Sequence, residues 1–172
     1  MWEKESLKDE EHPLVPYNLT EHTVIRSFPD QDASFSGRLI GGCMDCLVNL
    51  TGTEFDHVAE FNDRYKADGI IWFLEACELN VMGIRRAIWH MKHAGWFSNV
   101  KGFLIGRPLC FGEEAFGIDH YRAVTDLLAE YEVPVIMDLD IGHFSPMMPL
   151  VCGGTVDVSV AGQRITIKNT WK

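Results

Sequence analysis

Two side chains in this sequence stand where acid–base chemistry could be done. Glu75 closes the run Ile70-Ile71-Trp72-Phe73-Leu74, and His143 follows the run Val133-Pro134-Val135-Ile136-Met137-Asp138 by a few residues. A carboxylate that orients an imidazole holds one tautomer and stabilises the imidazolium that forms when the ring takes a proton. Glu75 and His143 would then be two members of a hydrolytic triad, with the nucleophile as the third. The plainer reading makes Glu75 a charge near a helix start and His143 a loop histidine.

A nucleophile is hard to find. The chain has no GxSxG elbow, no Walker loop, no GxGxxG and no HExxH. Ser145 lies two residues from His143, too close in sequence to serve it. Cys77 and Cys110 could act as thiols with His143, but only their positions recommend them. Cys43-Met44-Asp45-Cys46 is a CxxC at a helix start, where a dithiol could be activated; small buried residues beside a glycine pair explain it better. His90 and His93 form an HxxH without a third ligand nearby, which reads as an exposed helix face.

The elements that must position these groups follow from periodicity. A short unbroken apolar run such as 70–74 reads as a strand buried on both faces. Strands are expected at 37–42, 70–74, 102–106 and 133–138. Helices are expected after Gly42, with Met44, Leu47, Val48 and Leu50 as its apolar face, near 79–94 and near 118–131. In the second, Val81, Ile84, Ile88 and Met91 form one stripe; in the third, Ile118, Tyr121, Val124, Leu128 and Tyr131 do. Residues 107–117 read as a loop. From Gly153 the pattern alternates with period two, turns at Gly162 and alternates again, as a β-hairpin does. The sum is an α/β domain, a largely parallel sheet flanked by helices with a C-terminal antiparallel β-hairpin. In such sheets ligands gather outside the carboxyl ends of the strands, where Glu75 and His143 both fall.

Residues 1–35 differ. They hold Pro13, Pro16 and Pro29, with eight acidic and three basic residues and no sustained period, and read as a linker or lead-in. So long a lead is unusual ahead of a compact domain and suggests that something preceded it. Over the whole chain of 172 residues the formal charge of −10 argues against a nucleic-acid or anionic-membrane surface. No apolar run approaches the ~18 residues of a membrane span, and the acidic opening does not read as a signal peptide. Five cysteines without framework spacing suit a reducing cytoplasm.

Taken together, the motifs resemble the C-terminal domain of the LD-carboxypeptidase family of serine peptidases, which includes the microcin C self-immunity peptidases. The resemblance rests on Gly37-x-Leu39-Ile40-Gly41-Gly42 with Leu47 and Gly52-Thr53. It continues in Trp72-Phe73-Leu74-Glu75 with Glu78 and Ile84-Arg85-Arg86, and in Lys101-Gly102-Phe103-Leu104-Ile105-Gly106. The last piece is Gly142-His143-Phe144-Ser145-Pro146 with Met148-Pro149-Leu150. It covers residues 36 to about 160. Two departures from the family pattern stand out: Ala76, where Asp often follows the acid, and Val151-Cys152-Gly153-Gly154, where a tighter Pro-x-Gly is usual.

The resemblance implies a swivelling β/β/α-like fold and a division into a lead-in at 1–35 and a C-terminal domain at 36–172. It implies a Ser-Glu-His triad with Glu75 as acid, His143 as base and the serine on a separate N-terminal domain. The expected activity is cytoplasmic removal of a terminal D-amino acid from murein tetrapeptides in cell-wall recycling, without metal or organic cofactor. The expected partners are a murein peptide or similar small molecule and the nucleophile domain. Separation from that domain should bare an apolar strip of Trp72, Phe144, Met147 and Met148 and favour a homodimer. The other class to weigh is a non-catalytic binding or interaction domain that keeps the fold without the nucleophile.

Overall fold

The computed structural model describes residues 1–170. Its strands and helices, in chain order, are β1 (Arg26–Phe28), β2 (Ala33–Cys43), α1 (Met44–Leu47), α2 (Val58–Arg64), β3 (Ile70–Glu75), α3 (Val81–His93), β4 (Val100–Gly106), β5 (Glu114–Ala115), β6 (Ile118–Asp119), α4 (His120–Leu128), β7 (Val135–Leu139), β8 (Thr155–Ala161) and β9 (Arg164–Thr170). Seven strands form one sheet in the order β1-β7-β4-β3-β2-β8-β9. The central four, β2, β3, β4 and β7, are parallel. Strand β1 pairs antiparallel with β7, and the β8–β9 hairpin extends the other side antiparallel. This is the expected α/β architecture.

The apolar runs behave as double-sided strands. From β3, Ile70, Trp72 and Leu74 enter a core shared with Met44, Ile84, Ile88, Met91, Phe97 and Val124. All four helices pack on that face. Ile71 faces the other way, into a core with Leu39, Leu104 and Ile136 that is completed by Val156, Val158 and Val160 of the hairpin's first strand. The sheet therefore covers its second face with its own antiparallel extension, whose inward residues alternate with exposed ones.

Helix α3 carries the expected stripe, with Val81, Ile84, Ile88 and Met91 all buried. Asn80 starts it by accepting a hydrogen bond from the Gly83 N–H at 2.8 Å, the usual service of an N-cap side chain. Asp119 does the same for α4 through Arg122 N–H.

Three expectations need correction. The helix after Gly42 is only four residues long, and Val48 to Asp56 continue as turns, because successive turn hydrogen bonds and Thr53 and Asp56 side-chain bonds hold them. The 118–131 helix spans only His120–Leu128, followed by a 3-10 turn at Ala129–Tyr131; Ile118 belongs to a two-residue strand paired with β5, inside and beside the expected loop. Helix α2 was not expected. The stretch before residue 36 also carries structure: Trp2 and Ile25 are buried, Trp2 bridges to Glu21, and Arg26–Phe28 is a sheet strand.

Candidate active site

Strand β3 ends on Glu75, beside Cys43 at the end of β2. The loop after β7 brings His143 to the same edge. Its path is narrow there. Gly142 has φ +108°, and a Cβ on it would lie 2.7 Å from Glu75 Oε2 and 3.0 Å from Glu75 Cβ. Only glycine lets the loop pass this close to the acid. The result is a contact of 2.9 Å between His143 Nδ1 and Glu75 Oε2. The carboxylate side chain is 7% exposed and the imidazole 47%. One ring nitrogen is thus tied to a buried anion while the ring's other side meets solvent. An imidazole held this way can accept a proton at Nε2 while the carboxylate stabilises the cation formed.

The neighbourhood of Glu75 is also ordered. The Asp45 carboxylate accepts the backbone N–H groups of Cys77 at 3.0 Å and Glu78 at 2.7 Å, which ties down the turn just past the acid. Burial pushes the Asp45 carboxyl up, but those two N–H bonds and the Cys43 thiol outweigh it and leave it below the usual value. The Cys43 thiol donates to Asp45 Oδ2 at 3.4 Å. Burial first, and then the neighbouring Glu75 carboxylate, push this thiol up to about 12. It is a protonated donor among carboxylates and not a poised dithiol member.

The other nucleophile candidates fare similarly. Burial, followed by the charges of Asp45 and Glu75, raises the Cys77 thiol. Burial and Glu113 raise that of Cys110. His90 and His93 are exposed on α3. The Gly41–Gly42 pair serves the sheet: at Gly41, with φ +151°, a Cβ would collide with the Phe73 carbonyl of β3. The expected apolar strip does not form as drawn. Trp72 is fully buried and stacked on Trp96, because it points to the helix face of β3, and Phe144 packs on Trp2; Met147 is exposed.

A polar cluster beside His143 was not read from the sequence. Arg107, just past β4, is 1% exposed; its guanidinium donates to the Asp138 carbonyl at 2.5 Å and to the Asp140 carboxylate. Asp138 is buried with φ +64°, accepts the Tyr121 hydroxyl at 2.6 Å, and has Arg26 Nε at 3.7 Å. Burial and that bond to Asp138 push the Tyr121 hydroxyl up. The available signal was an ionisable residue directly after each of two apolar runs, Arg107 after β4 and Asp138 in β7.

The sheet makes this an α/β domain whose strand ends carry a carboxylate–imidazole pair. The family model described as the LD-carboxypeptidase C-terminal domain matches residues 36–158, and the chain belongs to that family. A Vibrio cholerae relative, provisionally named a carboxypeptidase, is 23% identical over 145 residues, covering 80% of this chain and 41% of its own length. The microcin C7 self-immunity protein MccF of Escherichia coli is 25% identical over 131 residues, 76% of this chain and 36% of its own. A structure of wild-type MccF without ligand matches 99% of this chain and 48% of that one, with a TM-score of 0.75 and 21% identity. A muramoyltetrapeptide carboxypeptidase from Oxalobacter formigenes matches 81% of this chain and 46% of that one, with a TM-score of 0.58 and 20% identity. The chain spans less than half the length of the curated relatives it matches. No helix among the described residues is long and apolar enough to cross a membrane.

Proposed function

We propose that this chain supplies the acid–base half of a serine carboxypeptidase acting on murein tetrapeptides, with Glu75 and His143 completing a triad whose serine comes from a nucleophile-bearing domain outside these residues. The observation that carries the reading is the 2.9 Å contact between a buried Glu75 carboxylate and a half-exposed His143 ring. Family membership supports hydrolase chemistry. In this reading residues 1–35 are the approach from the nucleophile domain and 36–172 the domain that carries the pair.

His143 Nε2 takes the proton of the serine hydroxyl as its oxygen attacks the scissile carbonyl. Glu75 stabilises the imidazolium through Nδ1–H. The same proton then passes to the nitrogen of the departing D-amino acid, leaving an acyl-enzyme. Water repeats the sequence, giving its proton to Nε2 and its oxygen to the acyl carbon; the acyl–serine bond then breaks and Nε2 returns the proton to the serine oxygen. Donors for the oxyanion come chiefly from the nucleophile domain. The reading is compatible with the fold shared with MccF, one structure of which holds aspartyl sulfamoyl adenosine, and with a muramoyltetrapeptide carboxypeptidase.

The test is labelling with a serine-directed fluorophosphonate. The 172-residue chain alone should not react. Joined to the nucleophile-bearing half of a family member, it should support labelling of that half's serine, and His143→Ala should abolish it. Labelling of a serine within this chain would overturn the reading.

A further inference from the structure

His143 lies in a loop, and a loop imidazole is useful as a base only if the backbone on both sides holds the ring at one angle to its carboxylate. Upstream, Arg107 grips the approach: its side chain reaches the Asp138 carbonyl and the Asp140 carboxylate, and its backbone N–H meets the Leu139 carbonyl at 3.4 Å. Three consecutive residues before Ile141 are therefore held by one side chain and its own backbone. Downstream, Glu3 N–H donates to the Ser145 carbonyl at 2.8 Å. Trp2, 3% exposed, packs on Phe144 with ring centroids 4.9 Å apart.

The two grips are one object. The Arg107 guanidinium lies over the Trp2 ring, 4.9 Å from its centroid, and Phe111 closes the ring's edge at 5.3 Å. Trp2 is in turn anchored by paired backbone bonds with Glu21, and the Glu3 carboxylate accepts the Asn18 N–H at 2.6 Å. A fully buried arginine with a carboxylate contributes little net stability, since desolvation offsets the attraction. Its fork geometry instead fixes directions.

We infer that Arg107 and Trp2 form a stacked clamp that brackets the His143 loop, fixing residues 138–140 on one side and 144–145 on the other, and so act as positioning residues for the Glu75–His143 pair. The inference rests on the acid–base reading of that pair. It also gives the stretch before residue 36 a task at the site, through a side chain that the family match at 36–158 does not include.

The experiment reads the tautomer of His143 by long-range nitrogen–proton correlation of the imidazole at about pH 9, where an ordinary histidine is neutral. In the wild-type chain the proton sits on Nδ1, facing Glu75. Glu75→Ala removes the acceptor and moves the proton to Nε2, the form a free imidazole favours. With the clamp, Trp2→Ala moves at least about half of the population to Nε2–H while Glu75 is intact. Trp2→Phe, which keeps an aromatic face for Arg107 and Phe144, restores the Nδ1 form. Arg107→Lys keeps the charge but loses the fork and behaves like Trp2→Ala; should it not fold, the two Trp2 variants decide. A wild-type tautomer in Trp2→Ala, beside a clear change in Glu75→Ala, overturns the clamp alone. An unchanged tautomer in Glu75→Ala overturns the acid–base pair itself.

Discussion

Gly142 passes so close to Glu75 that a single added carbon would touch the carboxylate oxygen that His143 holds. The acid and the loop are fitted to each other, and the fit depends on a residue without a side chain. Gly142→Ala must move the loop or the acid and adopt an unfavourable φ. We expect a loss of about 1–3 kcal/mol in unfolding free energy, measured by denaturant titration. A variant as stable as wild type, with the His143 tautomer unchanged, would show that the loop has slack.

Removing the charge of the acid while keeping its shape separates orientation from electrostatics. In the chain joined to a nucleophile domain, Glu75→Gln should lower kcat by about 10³–10⁴-fold, since an amide neither fixes the tautomer nor stabilises the imidazolium. The measurement is steady-state hydrolysis, with circular dichroism to show that the variant folds. A loss of less than tenfold would mean that the carboxylate serves the fold and not the chemistry.

Asp45 holds the turn behind Glu75 through two backbone N–H groups. Asp45→Ala leaves both donors without that acceptor and should cost about 1–3 kcal/mol. There is also a pH signature. Because the folded-state carboxyl lies below its ordinary value of 3.8, the unfolded chain binds its proton first as pH falls. The Asp45 contribution is present above 3.8 and is lost as pH drops through the lower folded value. Wild type should thus lose more stability in acid than Asp45→Ala does; equal losses would dissociate Asp45 from the effect.

Cys43 gives the opposite slope. Its thiol is raised from 9.0 to about 12, so the unfolded chain releases the proton first as pH rises. The stabilisation is complete below 9.0 and fades toward 12. At neutral pH the thiolate fraction should be roughly a thousandfold below that of a free cysteine. Alkylation of Cys43 in the native chain should be correspondingly slow, by mass spectrometry, and fast once the chain is unfolded. Rapid native modification would revive the dithiol reading of Cys43 and Cys46.

What was legible in the sequence was whatever strong periodicity marks. The unbroken run at 70–74 reads as a strand buried on both faces, and a carboxylate directly after it falls at the sheet edge. The same reasoning reached His143 through the run ending at Asp138. The stripe of α3 and the alternation of 155–161 were equally plain. Helix α2 was not, because within Val58–Arg64 only Val58, Ala59 and Phe61 are apolar, too few for a face to stand out. The first 35 residues hid their structure for a different reason: Trp2, Ile25 and β1 are ordered by partners at Glu21, Gln163 and Met137, which no local pattern reveals. Arg107 was passed over as the first residue of a loop. Its partners are Asp138 and Asp140, some thirty positions away, and only the parallel pairing of β4 with β7 brings them together.

In the proposed split Ser-Glu-His site His143 is the base and Glu75 its orienting acid. The most direct measurement is release of the terminal D-amino acid from a murein tetrapeptide by this chain joined to a nucleophile-bearing half of the family, wild type against His143→Ala. We expect turnover by the joined wild type, none by the 172-residue chain alone, and a loss of about 10²–10⁴-fold or more in kcat for His143→Ala with the fold intact. Wild-type turnover by a folded His143→Ala enzyme would contradict it.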